Sequence, residues 1–199
     1  MIARILVPWL DWAAVSLSLV AALLIAALPA EVLPRLIGAI VLTGLIGWIA
    51  WQDSVTFTIP DGAIAGIVLV GTALRIGDGL DALHDPRLVL ASVAVDALVC
   101  FGSLLLLREL FYRRRGYDGL GFGDVKFAFA GGALVGAQGF AWATCGACTL
   151  ALAVILFRRM AGRPMGGRDR IPLGAFLAPA TLLAWVATWI APSLDTAGL

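Results

Sequence analysis

The feature that most constrains this chain is a succession of apolar runs, each near the length needed to cross a lipid bilayer. A hydrocarbon core of ~30 Å takes about 17 to 25 helical residues. Trp12 to Leu28, Leu36 to Trp51, Leu88 to Leu107, Ala141 to Phe157 and Leu173 to Ile190 all read as such spans. Gly62 to Ile76 and Phe127 to Phe140 read as two shorter ones. Only 14% of the 199 residues are charged, against roughly 25% in ordinary soluble domains. Sixty-one per cent are apolar, more than a water-soluble fold of this size can hide. The expected class is therefore all-α: a polytopic transmembrane bundle of about six to seven spans, forming one domain over residues 1–199. The composition excludes a disordered chain, a secreted disulfide scaffold and a nucleic-acid-binding module.

Charge distribution sets the orientation. With the N-terminus in the cytoplasm, one face receives Arg4, the stretch from Arg108 to Lys126 and the stretch from Arg158 to Arg170. These hold eleven of the 14 Lys and Arg residues. Basic residues concentrate on the cytoplasmic side of membrane proteins. The opposite loop, Gly77 to Pro86, carries Asp78, Asp81 and Asp85. On this threading the polar segments Gln52 to Asp61 and Gly116 to Lys126 share the cytoplasmic face. Each precedes one of the short spans, so both are expected to line a wet cavity, the setting in which irregular backbone is tolerated at membrane depth.

Those segments carry the residues with chemistry. Asp53 stands at the end of the second apolar run. Asp124 directly follows Gly119-Leu-Gly-Phe-Gly123. Two carboxylates in a partly desolvated site can share one proton, one acting as base on a water and the other as acid toward a leaving group. Asp61 precedes the third span, either as its N-cap or as a rival partner for Asp124. Gly119, Gly121 and Gly123 permit close approach of another backbone, such as a substrate strand. Lys126 either tunes the aspartates or snorkels to the interface. Asp96, well inside the fourth span, is costly at that depth unless paired, protonated or wet; a structural pair with Arg75 is the first reading and a proton-handling role the second. Cys145 and Cys148 have metal-like spacing but no third ligand, so they read as small residues at a helix contact. Gly62-Ala-Ile-Ala-Gly66 and Gly132-Ala-Leu-Val-Gly136 are small-xxx-small patterns for close helix packing. No metal and no cofactor is expected.

Gly121-Phe-Gly-Asp124 with Lys126 resembles the G-x-G-D-x-K signature of the prepilin peptidases, or type IV leader peptidases, within the intramembrane G-x-G-D aspartyl proteases. Asp53 followed by Ile59-Pro-Asp61 resembles the first motif of that family. Asp118 fills the place of a Glu often found before the glycines. Ile171-Pro-Leu-Gly-Ala-Phe-Leu-Ala178 resembles the segment that opens its last helix. The resemblance runs from about Trp51 to Pro179. It implies catalytic Asp53 and Asp124, with Gly119, Gly121, Gly123, Lys126, Asp61 and Asp118 binding substrate or shaping the loop. It also implies cleavage of type IV prepilin or pseudopilin leaders after a glycine, at the cytoplasmic face of the bacterial inner membrane. Longer members begin with two zinc-binding Cys-x-x-Cys pairs and also methylate the new N-terminus. No cysteine precedes Cys100 here, so the likeness is to a compact, peptidase-only form. The competing reading is a proton- or ion-coupled transporter with Asp53, Asp96 and Asp124 as a relay; lipid is a partner on either reading.

The orientation is open to direct test. Reporter fusions after Arg115 are expected to report the cytoplasm and fusions at Asp81 the outside. A signal from the outside at Arg115 contradicts the threading.

Overall fold

The computed structural model describes residues 3–27, 32–81, 85–161 and 172–190. These form six helices: α1 Ala3–Ala27, α2 Val32–Thr56, α3 Asp61–Asp81, α4 Pro86–Arg115, α5 Phe122–Met160 and α6 Leu173–Ile190. Four of them contain stretches long and apolar enough to cross a membrane, and α1 and α6 contain shorter apolar segments. The basic residues 163–170 and His84 lie outside the described residues.

Helices α2, α3 and α4 each bury one stripe, whereas residues 123–135 of α5 are buried or half-buried all round. Leu42, Leu45, Ile46 and Ile49 form the stripe of α2; Ala63, Ile67, Val70 and Leu74 that of α3; Val93, Ala97, Cys100 and Leu104 that of α4. These are spacings of three and four, the helical repeat. The outward positions are just as greasy: Leu88, Leu98, Leu106, Trp142, Leu152 and Leu183 are all well exposed. An apolar surface of that extent suits lipid, not water.

Local signals set the helix ends. Asp85 caps α4 by accepting the Arg87 N–H at 2.9 Å, with Pro86 in the first turn. Gly116 closes α4 at φ 74°, its N–H donating to Tyr112 O at 2.8 Å. The third helix is longer than the short span expected from hydropathy. It continues through Gly77-Asp78-Gly79, and Asp78 pairs with Arg35 of α2 at 2.7 Å. The glycine patterns do serve close packing, onto outer neighbours. A side chain at Gly62 would strike the Asp11 backbone of α1, and one at Gly132 would strike the Asp96 carbonyl oxygen of α4 at 2.6 Å.

The largest difference from the expected spans is in α5. The fifth and sixth runs, divided in the sequence reading at residue 140, are one helical element broken at Gly136, whose φ of 74° and ψ of 170° lie far from helical values. A straight helix of 39 residues would reach about 58 Å, nearly twice a hydrocarbon core. It does not run straight. Residues 131 and 140 would lie on opposite faces of a regular helix, about 13 Å apart along its axis. Yet the Phe140 ring lies against the position a Gly131 Cβ would take. The bend yields a short arm, 122–135, and a longer one, 137–160.

Arg75 and Asp96 join α3 and α4 beside this bend. Arg75 Nη2 lies 2.8 Å from Asp96 Oδ2, with about a quarter of each side chain exposed. Arg75 Nη1 also donates to Gly132 O at 3.4 Å, and Asp96 Oδ2 is 3.4 Å from where a Gly136 Cβ would stand. This is the pair the sequence suggested for Asp96. Removing one member of such a pair leaves an uncompensated charge, at a cost of about 3–5 kcal/mol. We expect Asp96→Leu to lower the melting temperature of the solubilised protein sharply, and Arg75→Leu added to it to recover part of the loss. Simply additive losses contradict the coupling.

Candidate active site

Asp53 lies in the last turn of α2, at the helix end where the sequence places it, and is only 5% exposed. Its Oδ2 accepts the Ala175 N–H at 2.9 Å and also faces the Gly174 amide. Both amides belong to the first turn of α6, where backbone N–H groups have no partner within the helix and carry the positive end of its dipole. The absence of a side chain at Gly174 makes this docking possible: a Cβ there would stand 2.9 Å from Asp53 Oδ2 and 3.0 Å from Ile59 Cδ1.

Asp124 is 8% exposed and occupies the third position of α5. Gly121 is the N-cap residue and has no side chain to donate or accept. The Asp124 carboxylate turns back on the Gly121 amide, with Oδ2 3.1 Å from where a Gly121 Cβ would stand. An acidic residue at that position reaching back to the cap amide is half of a capping box. Asp124 is thus aimed by its own helix start.

Ile59 brings the two together. It packs on Gly174, beside Asp53, and on Gly123, beside Asp124; a Gly123 Cβ would lie 3.2 Å from Ile59 Cγ1. The two carboxylates are close enough for their charges to act on one another. The site therefore joins the end of α2, the start of α5 and the start of α6.

The other sequence candidates lie around this pair. Asp61 falls inside the first turn of α3 instead of preceding it. Its Oδ1 is 2.8 Å from Lys126 Nζ, and its side chain is 72% exposed. Asp61 and Lys126 thus form a rim pair beside the buried aspartates. Asp118 is held by Arg108 at 2.8 Å, toward the end of α4. The Phe122 ring lies 5.5 Å from Lys126 Nζ and 5.7 Å from the Arg108 guanidinium carbon, within reach of both cations. Gly119 is packed under the Phe111 ring, so that glycine is occupied by the protein's own side chain instead of lying open to a strand. Among the described residues no three His, Cys, Asp or Glu gather as metal ligands, and Cys145 and Cys148 are exposed.

Two contributors were not assigned from sequence: Ile59 and the amides of Gly174 and Ala175. The signal for the second was available, as a glycine in the first turn of a helix that starts directly after Pro172. A buried carboxylate pair backed by amides can hold one proton between two oxygens and bind a water or a carbonyl. We expect Gly174→Ala to displace the Asp53 carboxylate and lower any turnover that uses the pair by about a hundredfold, with little change in melting temperature. Full turnover in that variant contradicts the docking.

A protein-family model described as the type IV leader peptidase family matches residues 40–156. No curated protein and no solved structure matches the chain. The matched stretch is more than half of the chain and contains both Asp53 and Asp124, the whole of α3 and α4, and the short arm of α5. This membrane-embedded bundle belongs to the type IV leader peptidase family.

Proposed function

We propose that the chain is an aspartyl endopeptidase that removes the leader peptides of type IV prepilins or pseudopilins, cutting after a glycine at the cytoplasmic face of the bacterial inner membrane. The observation that carries the reading is the convergence of Asp53 and Asp124, from distant parts of the sequence, on one amide-backed, buried spot. The basic end of α4, with Arg113, Arg114 and Arg115, and Lys126 near the start of α5 support a cytoplasmic placement of that end of the bundle.

The chemistry follows from two carboxyls sharing one proton. The ionised member removes a proton from a water lying between them as its oxygen attacks the scissile carbonyl carbon. The protonated member donates a hydrogen bond to the carbonyl oxygen and stabilises the tetrahedral intermediate. The proton taken from water is then passed to the leaving amine, the C–N bond breaks, and the pair returns to its starting state with one proton. Lys126, paired with Asp61, places a positive charge at the rim. The flanking arginines suit the anionic lipid surface of a cytoplasmic leaflet. The transporter reading loses support because Asp96, its middle relay member, is tied to Arg75.

With a peptide spanning a Gly–Phe bond as substrate, Asp53→Asn and Asp124→Asn are each expected to lower cleavage at least about a hundredfold. The double variant is expected to be no worse than either, because the two act as a unit. Asp61→Asn and Asp118→Asn retain measurable cleavage. The wild-type rate is bell-shaped in pH, with both limbs belonging to the pair. Undiminished cleavage by Asp124→Asn rules out the mechanism.

A further inference from the structure

Among the described residues Phe57 alone is a non-glycine with positive φ, at 53°. It follows the last residue of α2 and ends that helix in a left-handed turn, its N–H donating to Asp53 O at 3.0 Å. Glycine is the residue ordinarily found at such a position, because a side chain strains the backbone there. A bulky ring held in this conformation is normally explained by what it buries. Phe57 is 47% exposed, and it is not part of the apolar core.

The turn is braced on both sides of the ring. Thr56 Oγ1 donates to Gln52 O at 2.8 Å, and the Thr56 and Thr58 hydroxyls lie 2.6 Å apart. The Gln52 amide nitrogen stands 3.5 Å from Thr58 Oγ1. Surroundings that over-determine a strained residue commonly belong to a working site. Two residues further on, Ile59 fills the space between the glycines that flank the two aspartates. The Phe57 backbone is therefore held in place and tied through the Asp53 carbonyl to the helix that presents one of them.

We propose that Phe57 contacts the substrate: its ring receives an apolar side chain of the polypeptide being cleaved, beside the scissile bond. The inference rests on the peptidase reading and adds to it a determinant of substrate affinity. Lipid is the rival occupant. An interfacial anchor, however, needs only an exposed aromatic at any orientation, which Trp51 already provides on the same helix without strain. A residue whose backbone is held in a braced turn against its preference suits a directional contact.

Two substitutions separate ring from strain. Phe57→Gly removes both, and Phe57→Ala removes the ring while leaving a side chain in the left-handed turn. The protein is reconstituted in vesicles and given a synthetic peptide with an apolar segment after a Gly–Phe bond. Both variants are expected to raise KM about tenfold, with kcat within about twofold of wild type. Phe57→Gly is expected to melt no lower than wild type, since glycine relieves the turn. Phe57→Tyr is expected to restore KM. In a second arm, Phe57→benzoylphenylalanine in an Asp124→Asn background is irradiated with the same peptide and is expected to give a peptide adduct. Cleavage with unchanged KM in the Gly and Ala variants, or adducts to lipid alone, overturns the contact and leaves the peptidase reading standing. A peptide adduct at position 57, with no cleavage by the wild-type protein, supports the contact and removes the peptidase reading.

Discussion

Two carboxylates brought together inside an apolar helical bundle need a source of positive potential, and here the backbone provides it. The free amides at the start of α6 are spent on Asp53, and the cap amide of α5 faces Asp124. Helix N-termini carry about half a unit of positive charge without a titratable group. Such partners hold the carboxylates in place while leaving them free to exchange a proton, which a tightly bound lysine or arginine would oppose. The lysine that is present, Lys126, is engaged with Asp61 at the rim. On the proposed mechanism, that division separates the pair that does the chemistry from the pair that carries charge.

The rest of the bundle serves to put those helix starts in one place. The bend at Gly136 shortens the arm that carries Asp124 in its first turn, so that α5 can enter beside α6 and return within the same bundle. Arg75 and Asp96 fasten the bend from α3 and α4. Ile59 sets the spacing at the other end, and glycines at 123 and 174 give it room. These contacts lie at opposite ends of the short arm, so an error at either end would move Asp124.

Much of this was legible in the sequence. The last helix starts where expected, at Leu173, because the apolar run opens directly after Pro172. The Arg75–Asp96 pair was foreseeable because a carboxyl at that depth is costly unless paired, protonated or wet, and Arg75 stood near the end of the neighbouring span. Asp53 and Asp124 stood out as the acidic residues ending and opening apolar runs. The extent of α3 was not legible: a hydropathy reading stops at polar residues, whereas Asp78 continues the helix by pairing with Arg35. Nor was the division of α5, since a glycine at 136 among many glycines gives no local sign that it alone takes a positive φ. The glycine in the first turn of α6 was visible, but no local pattern tied its amides to Asp53, more than a hundred residues away.

Membership of the type IV leader peptidase family gives the reaction class, a peptidase, and the geometry supports the proposal that Asp53 and Asp124 carry it out. The claim beneath both is that Asp53 and Asp124 share one locus. In a protein with Cys100, Cys145 and Cys148 replaced by serine, Asp53→Cys and Asp124→Cys together provide a direct measurement of it. Treatment with the shortest bifunctional thiosulfonate, read by intact mass, is predicted to give a single intramolecular bridge in the folded, solubilised protein. Two separate adducts with no bridge, from protein that is folded by its melting curve, would contradict the account.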